Sequence, residues 1–341
     1  MEDRGGETLV RRIKEALLDP SSYPHRVERV GLKETHISLI FLTGSYVYKV
    51  KKPVDFGFLD FTSLEKRRFF CEKEVELNRR LAPDVYMGVS EIRMKDGRIM
   101  VDGEGKTIEY AVKMRQFDEE LLLSRLLSKG KVTEGMMEAI ARRLAEFYRS
   151  AKTGPEIQAF GRPERIRQDT DENFYQTERF RGITISNQAF LFIKERTDRF
   201  LERRNIFEGR IRGGSIRECH GDLRLEHIFF GDRIIIFDCI EFNERFRYID
   251  TASDIAFLSM DFAFNGREDL DRCFLQSYVA ASSDEGLFEV LDFYRCYRAY
   301  VRGKVESFRL EDPLMDEAEK EAAKGRARRY FELSALYAQR L

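Results

Sequence analysis

The chain has 341 residues, 43% of them hydrophobic and 35% charged, which supplies a sizeable core beneath a charged surface and a length that predicts two domains or lobes. Lys and Arg number 59 against 60 Asp and Glu, so no global basic field points to nucleic acid and no acidic excess points to disorder. No apolar run approaches the roughly 18 residues of a membrane span, the first residues lack a signal-peptide apolar centre, and five scattered cysteines without a C-x-x-C pair fit reduced thiols; the expectation is a cytoplasmic protein with no membrane and no nucleic-acid partner.

In chain order, Leu9, Ile13, Leu17 and Leu18 recur at helical spacing and predict a short amphipathic helix. From Val27 to Val50 three short strands follow, "VERVGL", "ISLIFL" and "YVYKV", joined by "KETH" and "TGS", an antiparallel meander. A helix capped by Thr62 or Ser63 comes next, with Leu64, Phe70, Val75, Leu77 and Leu81 as its apolar face and Pro83 beyond its end. Two further strands, "GVSEIRMKDG" and "IEYAVKMRQF", complete a five-stranded sheet with one helix. The remainder reads as helical, with Ile140, Leu144, Phe147 and Tyr148 on one face of an early helix, except for a β-rich island over 217–250 that places a hairpin within the helical part. The expected organisation is residues 1–118 as a small sheet lobe and 119–341 as a larger helical lobe.

The island contains "HGDLRLEH", His220 to His227, and sixteen residues after Asp222 the strand "RIIIFD" ends on Asp238. The first stretch resembles the protein-kinase loop H-R-D-L-x-x-x-N and, more closely, the H-G-D-x-x-x-x-N loop of the aminoglycoside phosphotransferase family. The downstream "IIIFDCIEFNERFRYIDTASDIAFL" and the N-terminal "ETHISLIFLTGSYVYKVKKPVDFGFLDFTSLEKRRFFCEKEVELNRRLAPDVY" resemble a branch of that family often fused to a C-terminal P-loop kinase domain. No G-x-x-x-x-G-K-[ST] occurs, so that domain is expected to be absent. The resemblance spans about residues 25–310 and implies an α+β, bilobal protein-kinase-like fold, with a small antiparallel-sheet N-lobe and a larger, mostly helical C-lobe.

It also implies roles. Phosphoryl transfer asks a protein for positioning and charge neutralisation. Asp222 would accept the proton of an acceptor hydroxyl, and His220 would support its loop. Asp238 would hold magnesium, with ATP or GTP as the nucleotide. Lys49 resembles the lysine that meets the α- and β-phosphates, with Lys51 and Lys52 as rivals; Lys51 shares its face of the strand. Glu74 is its expected helix partner, with Glu72 second. Asp254 would be a buried acceptor for the catalytic loop's backbone, and is equally a helix N-cap. Met114 to Phe117, including Gln116, stands where the hinge would meet the base. The "KETH" turn lacks a glycine-rich pattern; backbone N–H groups and hydroxyls of Thr35 to Ser38 are its candidate phosphate contacts. Asp238-Cys239-Ile240-Glu241 replaces D-F-G, and no A-P-E follows, which favours a small-molecule kinase over a protein kinase.

His227 departs from the pattern, which has Asn as a second magnesium ligand. Imidazole suits hard magnesium poorly. The site then works with one ion, prefers a softer ion such as manganese, or binds nucleotide without turnover. Two functions follow: a phosphotransferase acting on a small-molecule hydroxyl, or a non-catalytic kinase-like nucleotide-binding module acting through protein partners. The arginines between Arg203 and Arg217 read as a solvated face, with an anionic substrate as the alternative. The sequence specifies neither the acceptor nor the oligomeric state.

Overall fold

The computed structural model describes residues 3–313 and 315–341, with side chains from Thr8 onward. Its contacts divide the chain into two compact units, Met1–Arg125 with His227–Glu244, and Leu126–Glu226 with Arg245–Leu341. The boundary therefore falls beyond residue 118, and the hairpin expected within the helical lobe groups with the sheet instead.

The elements of the first part are α1 (Asp3–Leu17), β1 (Gly31–Glu34), β2 (Ser38–Leu42), β3 (Tyr46–Lys51), α2 (Leu64–Asn78), β4 (Tyr86–Lys95), β5 (Arg98–Val101) and β6 (Lys106–Arg115). Among the described residues they form a six-stranded, wholly antiparallel sheet in the order β1-β2-β3-β6-β4-β5. The sequence reading gave five strands. The sixth, Arg98–Val101, folds back on β4 through Asp96 and Gly97, at φ 49° and 82°, the paired left-handed conformation that an Asp-Gly hairpin turn requires.

Strand alternation gives the sheet two different faces. Leu39, Phe41, Tyr48 and Val50 bury on one, against Ile13 and Leu17 of α1 and Ile92 and Val101. Lys49 and Lys51 point to the other, which α2 covers. That helix is capped by Ser63, whose hydroxyl accepts from Lys66 N. Its buried positions, Arg67, Cys71, Glu74, Val75, Leu77 and Asn78, lie along one side of the helix. The inward stripe is thus half polar: Val75 and Leu77 of the expected apolar face are buried, and Arg67, Glu74 and Asn78 are buried beside them.

Then come α3 (Leu123–Ser128), α4 (Glu134–Ser150), α5 (Pro155–Gln158), α6 (Pro163–Thr177), α7 (Asn187–Leu201), α8 (Arg204–Arg212), β7 (Ile216–Glu218), β8 (Ile228–Phe230), β9 (Ile234–Ile236), β10 (Tyr248–Asp250), α9 (Thr251–Phe264), α10 (Glu268–Ser282), α11 (Leu287–Phe308) and α12 (Glu317–Ala338). In the second unit α11 packs along α12 and α9, and α4 along α10. As the spacing predicts, α4 buries Ile140, Leu144, Phe147 and Tyr148. α9 is buried all round from Thr251 to Phe262, which makes it the centre of the unit. The short strands β7 and β10 pair antiparallel beside it. The basic stretch is only partly a solvated face. Arg210 is buried, donates to Asp250 at 2.7 and 2.9 Å, and pairs with Asp284. All five cysteines are free thiols. Among the described residues no helix is long and apolar enough to cross a membrane.

Candidate functional site

The site residues fall into two groups, one in each unit. In the first unit, Lys49 Nζ on β3 donates to Glu74 Oε1 at 2.9 Å and to Asp238 Oδ1 at 2.7 Å. Glu74 is the partner rather than Glu72, because residue 72 lies on the exposed side of α2 and pairs with Arg68. Lys51, two residues along the same face, donates to the other oxygen of Glu74 at 2.6 Å and to Glu241. Lys52 is taken by Glu34 and by the Thr35 carbonyl. Burial alone would strip the proton from Lys49, but Asp238 and then Glu74 outweigh it and hold the ammonium well above its usual range. Burial likewise opposes ionisation of Glu74, and the two lysines overcome it.

Asp238 stands at the end of β9's hairpin with its side chain 41% exposed, whereas Glu74 is fully buried. It adopts a left-handed backbone, φ 62°. Its N–H donates to the Tyr86 phenol oxygen at 3.1 Å, and the next N–H, of Cys239, donates to Asn78 Oδ1 at 2.8 Å. Burial, then the Glu74 and Asp238 charges, push the Tyr86 phenol far up, so it stays protonated. His227 Nε2 lies 3.7 Å from Asp238 Oδ2. The structure therefore brings Lys49, Glu74, Asp238 and His227 together. Sequence reasoning missed Tyr86 and Asn78. A phenol and an amide at unremarkable strand and helix positions carry no pattern of their own.

Two sequence expectations are corrected. In the Lys33–Ser38 turn three N–H groups are engaged locally: Thr35 N donates to Ser38 O at 2.9 Å, and Ile37 N and Ser38 N both donate to Thr35 Oγ1, at 3.3 and 3.0 Å. Ser38 is 1% exposed, so its hydroxyl is no surface contact. Thr35 and Ser38 thus form a closed turn rather than an open cradle of N–H groups. Met114 lies inside β6, opposite Val47 and Tyr86. Gln116 serves the β2–β3 turn, its N–H donating to Ser45 O at 3.0 Å and its Oε1 accepting from Gly44 N at 2.9 Å. Phe117 follows, its ring 4.7 Å from Phe229 and 5.2 Å from Phe237, an apolar wall at the place expected for the hinge.

In the second unit, Asp222 sits half-buried on a loop held from below. Asp254 is fully buried; its Oδ2 accepts from His220 N at 2.7 Å and from the Tyr148 hydroxyl at 3.1 Å, and its Oδ1 accepts from Gly221 N at 2.9 Å. The N-cap of α9 is Asp250, which accepts from Ala252 N, so of the two roles read for Asp254 the loop brace is the one observed. Gly221 takes φ 90°, a conformation glycine adopts without strain, and lets the chain turn toward Asp222. The Asp222 N–H donates to His220 Nδ1 at 3.3 Å. Two further braces carry no sequence signal. Arg298 of α11 donates to Gly221 O at 3.1 Å, and Asp261 accepts from Leu225 N at 3.0 Å.

The donor set suits a nucleotide-borne hard cation. Among the described residues no group of three His, Cys, Asp or Glu side chains could hold a metal by itself. Two lysines and three carboxylates (Glu74, Asp238, Glu241) leave one net negative charge in the first group, and Asp238 is its exposed member. One carboxylate plus phosphate oxygens is how magnesium is commonly held beside nucleotides.

The third strand of the antiparallel sheet thus presents a lysine to a glutamate on the following helix, and the helical unit carries a braced H-G-D loop. No family model matches the chain. It is 35% identical over 282 residues to uncharacterized proteins of Mycobacterium tuberculosis and Mycobacterium bovis, a stretch covering 82% of this chain and 55% of theirs. The chain thus spans about half the length of the curated relatives it matches. Among solved structures, a choline/ethanolamine kinase family protein from Mesorhizobium loti aligns over 98% of this chain and 99% of its own, with a TM-score of 0.49 and 13% identity. An ethanolamine kinase of Plasmodium vivax aligns over 100% and 92%, with a TM-score of 0.49 and 14% identity.

Proposed function

We propose that the protein is a nucleotide-dependent phosphotransferase that moves the terminal phosphoryl group of ATP or GTP onto a hydroxyl of a small molecule. The observation that carries this reading is Lys49 held at 2.9 Å by Glu74 and at 2.7 Å by Asp238, an ammonium and a half-exposed carboxylate fixed side by side. Lys49 binds the phosphates and Glu74 keeps its ammonium extended. Asp238 holds magnesium, with His227 beside it; when bound, the ion neutralises charge on the phosphate oxygens. Asp222 accepts the acceptor's proton and orients its oxygen for in-line attack, on a loop that Asp254 and Arg298 keep rigid. Such preorganisation is what phosphoryl transfer asks of a protein, since the chemistry itself needs little covalent help.

A second reading, a kinase-like module that binds nucleotide without turnover, is favoured by His227 in the position of the Asn ligand and by the Thr35–Ser38 turn, whose Ile37 and Ser38 N–H groups already donate to Thr35 Oγ1.

The test is thermal stabilisation by ATP or GTP with magnesium and with manganese, followed by release of phosphate from the labelled terminal position. The phosphotransferase reading expects stabilisation, slow hydrolysis, and loss of hydrolysis with retained stabilisation in D222N. Stabilisation with no hydrolysis in the wild type supports the module. No stabilisation with either ion removes both.

A further inference from the structure

Two buried residues, Lys51 and Glu241, are used by no step of the proposed reaction. Lys51 is 1% exposed and Glu241 6%, so neither meets a ligand in bulk solvent. Yet they close a chain of charges that runs from Asp238 through Lys49, Glu74 and Lys51 to Glu241, each link at hydrogen-bonding distance. The ammonium of Lys51 also lies 4.9 Å from the centre of the Phe61 ring, so its place is fixed by packing as well as by charge.

The segment this chain grips is strained. Asp238 has a β-carbon and still adopts φ 62°, a conformation that persists only where the surroundings over-determine it. The surroundings do so. Phe237 N donates to His227 O at 3.0 Å, Asp238 N to Tyr86, Cys239 N to Asn78, and the Asn243 amide to Phe58 O at 2.9 Å. Three residues beyond Asp238, Glu241 adds a second ionic anchor, to Lys51, beside the Lys49–Asp238 pair.

We propose that Lys51 and Glu241 are positioning residues: their ion pair splints the strand end that carries Asp238 onto β3 and Glu74, and so sets how tightly Asp238 takes a cation. The proposal rests on the reading that Asp238 holds the metal. Without the splint, the 238–243 segment populates backbones in which Asp238 faces elsewhere, and apparent affinity falls by the fraction of molecules that stay competent.

The K51M/E241Q double variant tests it. It removes one positive and one negative charge, so the net charge around Asp238 is unchanged and any loss reports geometry. The quantity read is the magnesium concentration giving half of the magnesium-dependent rise in melting temperature at saturating ADP. The expected result is a tenfold or larger increase in that concentration, with metal-free ADP binding unchanged, and K51R as a single variant staying near wild type. A half-saturating concentration within twofold of wild type overturns the proposal. E241Q alone keeps Lys51 and the side-chain shape, and serves if the double variant does not fold; it is expected to raise the concentration about threefold, and no change overturns the proposal equally. D238N separates the two levels. If D238N abolishes the magnesium response while the double variant leaves it intact, the splint alone falls. If D238N leaves the response intact, the assignment of Asp238 falls and takes the splint with it.

Discussion

Asp254 carries the sharpest structural prediction. Its two oxygens accept from His220 N, Gly221 N and the Tyr148 hydroxyl in a fully buried position. Replacing it with Asn keeps one oxygen, which serves His220 N and Tyr148. The new amide group then faces the Gly221 N–H, donor against donor. One hydrogen bond to a charged acceptor is lost, worth about 1.5–3 kcal/mol, and a buried N–H is left unmet at a further cost of about 1–3 kcal/mol. A total of about 3 kcal/mol corresponds to roughly a hundredfold in an opening equilibrium. The assay is amide hydrogen exchange over a peptide containing His220 to Asp222. D254N is expected to exchange there about a hundredfold faster, while peptides from the sheet unit keep their wild-type rates. Hydrolysis is expected to fall with the loop's order. Wild-type exchange across the loop in D254N would show that the carboxylate does not hold it, and the brace would have to be withdrawn.

E74Q should destabilise the sheet unit by about 3–5 kcal/mol, the usual cost of removing one partner from a buried ion pair, and should weaken nucleotide binding; urea denaturation and ATP-induced stabilisation report the two effects. An unchanged urea midpoint would mean that the lysines do not depend on Glu74. H227N should lower the magnesium needed for half-maximal hydrolysis and reduce any preference for manganese; equal magnesium dependence in H227N and wild type would place the imidazole outside the metal's reach. Lys304 gives a pH signature. Burial pushes its ammonium down to about 8, although it donates to Asn173 Oδ1 at 2.5 Å and to Gln176 Oε1 at 2.8 Å. Between pH 8 and its unfolded pKa of about 10.4 the unfolded chain holds more protons, so this residue's contribution to stability rises with pH. Wild-type stability minus that of K304M should be flat below pH 8 and then climb by at most about 3 kcal/mol. A flat difference throughout would mean that the two amide oxygens cancel the burial.

The motif residues were legible because their chemistry demands particular side chains at particular spacings. Lys49, Glu74 and Asp254 were readable in that way, and the structure pairs or buries each as the resemblance implies. The meander was legible from alternation, although the short β5 was lost in what looked like a single turn. The face of α2 was legible only in its apolar half, Val75, Leu77 and, past its end, Leu81, and for a physical reason. Hydrophobic periodicity presumes that what is buried is apolar, and this helix buries Arg67 on Glu109, Glu74 on two lysines and Asn78 on a backbone N–H. Buried polar groups that satisfy one another look, in one dimension, like surface.

The order of residues alone determined the fold class and the identity of the lysine, the glutamate and the two aspartates proposed to serve the chemistry. Only the folded chain decided which polar atoms remain for a ligand. It closed the Thr35–Ser38 turn upon itself, gave Gln116 to the β2–β3 turn, and assigned Tyr86, Asn78, Lys51 and Arg298 to the groups that hold the site in place. Local sequence sets which hydrogen bonds a residue can make, but residues far apart in the chain compete for them, and that competition is settled only in three dimensions.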